Sequence, residues 1–343
     1  MEGAGLATST SDAEARTTVF TYDDLGRVVS AVSPDSGTTT YAYDEAGNLV
    51  QKTDARGISI TYDYDLLSRL TGVHFPDPAE DMVFGYDQGI DGLGRRTSMG
   101  DPSGTTTFSY DPRGRLTGKE STIQGSSYLV AREYSPGGRA LSMSLPRGRT
   151  IDCALNTLGR ITGVTTTSGS STTTLLADPS YFPFGGLRGL TNGAGGTVDN
   201  EYAECCGLLT TANPETPFER RYMYDGNRNI TQITLPNQPL LNTAYTYDAL
   251  NRLTQASGPF GSFAYTYDDV GNRLTRTRDG ITEAYTYQPG TNRLAGVDNV
   301  TLTDLTTDAA GNTVGIGGRT LVYNQAGRMI RVEDATGNPL GAY

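Results

Sequence analysis

The sequence holds almost none of the parts from which an active site is usually assembled. Its 343 residues include one histidine, no tryptophan and three cysteines. His74 has no second histidine and no G-x-S-x-G nucleophile with which to complete a triad, so a strand-end or loop histidine is the plainer reading. Cys205 and Cys206 are adjacent, a spacing that rarely bridges. With Cys153, which reads as a small core hydrophobe, they make neither a disulfide framework nor a metal set. No apolar run approaches the ~18 residues of a membrane span. The N-terminus lacks the basic and apolar parts of a secretory signal, and no stretch repeats apolar residues at helical spacing. Positive charge is also short. A formal net charge of −11 and a pI near 4.6 speak against a nucleic-acid backbone as partner. Gly193-Ala-Gly-Gly196 opens no helix, so it is not a phosphate loop. No catalytic residue, cofactor or metal is expected.

What the chain has is one phrase, repeated. Ala244 to Thr254 is the clearest copy: two tyrosines one residue apart, an aspartate, a short turn, a basic residue and an aliphatic one. Period-two spacing puts Tyr245 and Tyr247 on one face of a strand. Asp248 opens a turn whose Asp and Asn bond their own backbone, and Arg252 starts the returning strand. Further copies carry Tyr22, Asp23, Gly26 and Arg27; Tyr43, Asp44 and Gly47; Tyr64, Asp65 and Arg69; Tyr110, Asp111, Gly114 and Arg115; and Tyr267, Asp268 and Gly271. Gly85 begins a copy with a four-residue insertion in its turn. Degraded copies stand at Glu133, Ala154, Met223, Thr286, Thr306 and Val322, with Leu155 and Thr307 in the tyrosine place. The step is about 20 to 24 residues, with one short step and one double-length gap between positions 155 and 202. Such a fixed period sets the architecture.

Second turns lie between the copies, as at Pro34-Asp-Ser-Gly37, Asp54-Ala-Arg-Gly57 and Asp101-Pro-Ser-Gly104. Each repeat is therefore two strands and two turns, and the fold is all-β: one long antiparallel sheet of tandem β-hairpins. About 30 strands at ~4.8 Å make ~145 Å of sheet, which rolled into one ring is ~45 Å across and hollow. Residues 1–16 read as a flexible lead-in and 17–343 as one continuous array, regular over 17–164, divergent over 165–220 and regular again over 221–343. In the divergent part, the Thr/Ser/Gly run from Thr165 to Leu176 reads as an exposed, imperfect hairpin.

The Tyr-Asp-x-x-Gly-Arg/Asn-Leu phrase at this spacing resembles the YD repeat of the Rhs and YD-repeat proteins, with relatives in toxin-complex B/C components and the teneurin shell. The stretch from Tyr181 to Leu190 also resembles an element within bacterial Rhs arrays. The resemblance covers nearly all of residues 17–343. It implies a sheet curled into a hollow, barrel-like spiral, of which this chain is a partial shell. In the bacterial members that shell encloses a C-terminal toxin and is closed by a core that cleaves itself at aspartates. Neither the core's D-P-x-G-x-x-D-type motif nor a toxin is found here; Asp111-Pro and Asp178-Pro share only a dipeptide with it.

The expected function is a non-enzymatic, structural shell segment of a secreted or surface protein that encloses and helps deliver a toxin. The alternative is an extracellular carbohydrate- or protein-binding adhesion module. Expected partners are the rest of the same polypeptide or neighbouring shell segments, with toxin cargo and glycans also open. Expected location is extracellular or at the cell surface. The repeated tyrosines read as cross-strand packing ladders before sugar platforms. The repeated aspartates read as turn caps before calcium ligands, and the repeated arginines as partners of those aspartates or of carbonyls in adjacent hairpins.

Overall fold

The computed structural model describes residues 5–183, 185–203, 207–213, 219–298 and 305–342. They fold as consecutive antiparallel strands, interrupted only by three short 3-10 turns at Pro78–Glu80, Pro146–Gly148 and Pro239–Leu241. Cys205, Cys206 and Tyr343 lie outside the described residues. By their contacts the residues form two compact units, one made of Met1–Phe84 with Ala264–Tyr343, the other of Gly85–Phe263.

Within the second unit, strands follow one another in hairpin order. Gly104–Tyr110 pairs both Arg96–Asp101 and Leu116–Ile123, and neighbour pairing continues to Thr243–Tyr247 with Leu253–Gly258. Within the first unit the same order runs from Ser9–Ser11 to the start of Met82–Tyr86, and again from Arg273–Arg278 with Ile281–Tyr287 to Met329–Glu333 with Pro339–Ala342. Thr/Val/Tyr-rich, alternating strands suit a pleated, half-buried surface, and no polar gap is long enough for a crossover.

Burial follows the alternation. In Thr17–Tyr22 and Thr243–Tyr247 the tyrosine and phenylalanine positions are half-buried while the intervening Thr or Ala positions are exposed. The only buried hydrophobic residues among those described are Val73, Phe75 and Ala256. There is no thick core, so cohesion rests on neighbouring hairpins. The exposed threonines pair across strands: Thr246 with Thr254 at 2.8 Å, Thr277 with Thr282 at 2.8 Å and Thr167 with Thr172 at 2.9 Å. The Thr/Ser/Gly run is a hairpin, Ile161–Ser168 against Ser171–Tyr181, with its tip exposed.

Two readings change. Residues 9–16 are not a loose lead-in: Ser9–Ser11 pairs with Thr17–Val19, and Asp12 closes the turn by accepting the amides of Glu14 and Arg16. The double-length gap is also filled. Tyr181-Phe182 leads into a turn closed by Phe182 N to Gly186 O at 2.8 Å and Gly185 N to Phe182 O at 2.9 Å, the pairing made by the Tyr-Asp turns. Phe182 stands in the aspartate place. It packs edge-on against Tyr202 with ring centroids 5.4 Å apart, so a ring contact replaces the cap.

In the first unit the early and late hairpins meet along their turns. Asn292 donates from its amide to Asp35 Oδ1 at 2.6 Å, gives its side-chain amide to Asp12 and Asp35, and accepts from Arg16. Arg293 Nε donates to the Asp35 carbonyl at 2.6 Å. Arg56 donates to the carbonyls of Asn324 and Gln325, while Glu80 accepts the Gln325 amide and Gln325 Oε1 accepts the Asp77 amide. This seam is polar throughout. It satisfies turn amides and carbonyls that strand pairing leaves open. Gly311 is needed there, because a Cβ would stand 2.5 Å from the Asp35 carbonyl oxygen.

Candidate functional site: the tyrosine-aspartate turn

Apart from the longer turn at Asp87, each Tyr-Asp turn is one hairpin loop with a bulge. The aspartate amide donates to the carbonyl four residues on, and the residue three on donates back: Asp23 N to Arg27 O and Gly26 N to Asp23 O, both 3.0 Å. The register slips at the tyrosine of each copy, as between Thr21 and Tyr22 or Thr246 and Tyr247. This is a type I turn followed by a left-handed residue. Gly26, Gly47, Gly114 and Gly271 take that place with φ of 78°, 90°, 78° and 101°, and Ser68 and Asn251 occupy it at 56° and 60°.

The aspartate carboxylate holds the turn from inside. Asp23 Oδ1 accepts the amides of Leu25 and Arg27 at 3.0 and 2.9 Å, and Oδ2 accepts Arg27 Nε at 2.7 Å. Asp65 with Arg69, Asp111 with Arg115 and Asp248 with Arg252 repeat the arrangement, their Nε to Oδ2 distances being 2.7, 2.6 and 2.6 Å. In the Asn copies the side-chain amide replaces the guanidinium: Asn48 to Asp44 and Asn272 to Asp268, both 2.8 Å. Hydrogen bonds to the ionised form lower a carboxyl pKa. The Arg27, Arg69 and Arg252 amides, with their side chains, hold Asp23, Asp65 and Asp248 below the usual carboxylate range. The Asn48 amide group does the same for Asp44. In Asp111, desolvation opposes the Arg115 bonds, and the net shift is still downward.

The tyrosine ties each copy to the one before it. Tyr43 Oη donates to the Val28 carbonyl at 2.9 Å, Tyr64 to Leu49 at 3.1 Å and Tyr247 to Ile230 at 2.9 Å. Tyr134, Tyr181 and Tyr287 reach Leu116, Ile161 and Arg273. Each of these acceptors directly follows the Arg or Asn of the preceding turn. Tyr22 reaches Ala7 and Tyr110 reaches Arg96. Tyr267 ends the strand Gly261–Tyr267. Burial raises the hydroxyl pKa of Tyr64, Tyr247 and Tyr287.

The arginine completes the tie. Arg27 lies 4.7 Å over the Tyr43 ring and donates from Nη1 to the Asp44 carbonyl at 3.1 Å. Arg115 lies 4.8 Å over Tyr134 and donates to the Ser135 carbonyl at 2.8 Å. One guanidinium thus closes its own turn and clasps the next. In Tyr43 and Tyr134 one ring face is covered by arginine and the hydroxyl is engaged by a carbonyl.

His74 ends the strand Leu70–His74, its ring between two carboxylates: Nδ1 is 2.8 Å from Asp81 and Nε2 is 2.9 Å from Asp63. Neutral imidazole has a single N–H, so both contacts are satisfied only by the imidazolium. The bond to Asp81, then that to Asp63, raises the His74 pKa. Cys153 is half-buried and unpaired. Among the described residues, no group of three or more His, Cys, Asp or Glu is placed to hold a metal, and no helix is long and apolar enough to cross a membrane.

The seam residues Asn292, Arg293 and Gln325 were not legible as such in the sequence. Their one signal is the extra residue in the Gln288–Arg293 turn, which leaves both an Asn and an Arg at its end.

Such a chain belongs to the class of tandem-hairpin repeat proteins built from antiparallel sheet. The RHS Repeat family matches residues 3–39, 22–59, 43–79 and 91–127, and the Teneurin YD-shell family matches 200–339. The chain belongs to the Rhs/YD-repeat family. Curated protein sequences give no significant match. Among solved structures, the TcdB2-TccC3 complex without its hypervariable C-terminal region is similar at a TM-score of 0.82 and 18% identity, over 96% of this chain and 21% of that one. The Photorhabdus luminescens Tc holotoxin pore is similar at 0.80 and 20%, over 92% of this chain and 19% of that one. A TcdB2-TccC3-Cdc42 structure gives 0.82 and 17%, over 96% and 21%. These likenesses establish the fold, and the chain spans about a fifth of the length of those chains.

Proposed function

We propose that this chain is a structural wall segment of a secreted or surface Rhs-type protein, which encloses and helps deliver a toxin, and that it carries out no catalysis itself. The observation that carries this reading is the tie between copies. Tyrosine hydroxyl and arginine are consumed in joining one hairpin to the next and aspartate in closing each turn, in the fold of Tc-toxin chains. Residues spent on cohesion are what a wall needs and what a binding face would leave open. Its partners on this reading are neighbouring wall segments of the same polypeptide and an enclosed cargo.

Protease challenge of the natural full-length polypeptide tests it. A segment outside the repeats should survive trypsin in the native protein and be degraded once the repeats are unfolded. A polypeptide that ends with the repeats, or an extra segment cut equally fast in both states, overturns the proposal.

A further inference from the structure

Two successive turns in the second unit lack the carboxylate that completes the Tyr-Asp turns. Ser135 and Asn156 stand where aspartate stands elsewhere. Both keep the first oxygen's work: Ser135 Oγ accepts the Arg139 amide at 3.1 Å, and Asn156 Oδ1 accepts the Leu158 and Arg160 amides at 3.0 Å. Neither has a second carboxylate oxygen, so no carboxylate pairs with Arg139 or Arg160. Arg160 still has the Tyr181 ring, 5.3 Å below it. Arg139 has no ring either, because Leu155 occupies the next tyrosine place.

The missing ring leaves space. A cavity of about 580 Å³ lies between these two turns, walled by Pro136, Leu141, Leu155 and Leu158, with Arg139 on its lining. That volume is in the range of small-ligand sites, about 300–1,000 Å³. The Arg139 side chain crosses Gly159 so closely that a Cβ there would stand 2.8 Å from its Nε. Charge agrees with shape. Residues 111–160 contain eight Lys or Arg and four Asp or Glu, in a chain whose net charge is −11. Arg113 adds a further guanidinium at the rim, bonded to the Pro136 carbonyl.

We infer that this cavity is a binding site for a peptide segment that presents an aromatic side chain beside a carboxylate. The ring would fill the place left by Leu155, and the carboxylate would take Arg139 as Asp111 takes Arg115. The site thus selects the two groups that this turn has lost from its own sequence. The inference does not rest on the wall-segment reading.

Fluorescence titration with a labelled peptide containing tyrosine-aspartate tests it, with tyrosine-asparagine and alanine-aspartate peptides and inorganic phosphate as comparators. The first peptide should bind saturably. The tyrosine-asparagine peptide should bind about tenfold more weakly, the usual effect of losing one charge-assisted bond. Phosphate should not compete. Arg139→Gln should weaken binding by a similar factor, and Arg328→Gln, behind the Asn324 cap, should leave it unchanged. The double variant Ser135→Asp/Leu155→Tyr refills the site from within, so it should abolish binding while raising the urea midpoint. That rise separates site filling from misfolding. Absence of saturable binding, binding untouched by the double variant, or equal competition by phosphate overturns the proposal.

Discussion

The turns at 23–27 and 44–48 share one backbone, and the difference that matters between them is the residue after the left-handed glycine, Arg27 in one and Asn48 in the other. Arg27 and Asn48 both bond the second oxygen of their aspartate, but only Arg27 goes on to cover the next tyrosine and bond the next turn. Asn48 caps its own hairpin, whereas Arg27 is both a cap and a clasp over the next tyrosine. A repeat array gains stability from interfaces between neighbours, so the residue after the left-handed position sets how strongly each copy holds its successor. The largest test compares tyrosines that follow the two kinds of turn. Tyr247 follows Asn229 and Tyr134 follows Arg115. Tyr247→Ala should cost about 2–3 kcal/mol, reduced from a full aromatic deletion because the ring is only half-buried. Tyr134→Ala should cost about 1 kcal/mol more, through the lost guanidinium contact. Urea unfolding of both variants decides, and equal costs would contradict the clasp.

Arg115→Asn turns one kind of turn into the other. It should cost about 1 kcal/mol through lost contacts with Tyr134 and the Ser135 carbonyl. In a double-mutant cycle with Tyr134→Ala the two costs should fall short of additive. Additivity would mean that the guanidinium acts only inside its own turn.

A smaller effect comes from the one copy whose strand end carries a histidine. His74 gains two carboxylate partners on folding, and its pKa is raised above the ordinary 6.5. A raised folded pKa contributes stability that is fully present below the unfolded value and lost as pH rises through the folded one. The urea midpoint should therefore fall above about pH 6.5, and His74→Gln should flatten that dependence. The aspartates act in the opposite direction and elsewhere on the scale. The pKa values of Asp23, Asp65, Asp248 and Asp334 are lowered, that of Asp334 to about 2, so their contribution is lost only as pH falls below the ordinary carboxylate range. Gly72 keeps the histidine in place, since a Cβ there would stand 2.6 Å from Nε2.

Much of this was legible because the repeat is local. Tyr-x-Tyr, Asp and Gly fix a strand, a cap and a left-handed turn within about eight residues, and repetition multiplies a weak signal. The copy at Tyr181 is hidden in the sequence because Phe182 replaces its aspartate, removing the letter that marks the phrase while keeping the hydrogen bonds. Ser9–Ser11 is hidden because a three-residue strand is too short for alternation to register. The tyrosine-to-carbonyl tie and the seam at Asn292 were illegible for a different reason. Each joins residues 14 to 280 apart in sequence, and no local pattern specifies which carbonyl or turn will face a given side chain. The cavity at Arg139 needs two absences side by side, at Ser135 and Leu155, and neither substitution alone marks a site.

The smallest test isolates the turn itself from everything it clasps. Ser68 and Asn251 hold left-handed backbone at the place where Gly26 and Gly114 sit in equivalent Arg turns. A side chain in that region costs roughly 1–2 kcal/mol, while glycine gives back about 0.5–1 kcal/mol through its greater freedom when unfolded. Ser68→Gly should therefore stabilise by about 0.5 kcal/mol, and Asn251→Gly by less, because asparagine tolerates this conformation better than serine. Asn251 also accepts from Asn227 and Asn229 across the neighbouring turn, at 2.9 and 2.7 Å. Its replacement should then give no gain, or a loss. If Asn251→Gly stabilises as much as Ser68→Gly, that cross-turn bond contributes nothing. The tie between copies at an Asn-type turn would then rest on the tyrosine alone.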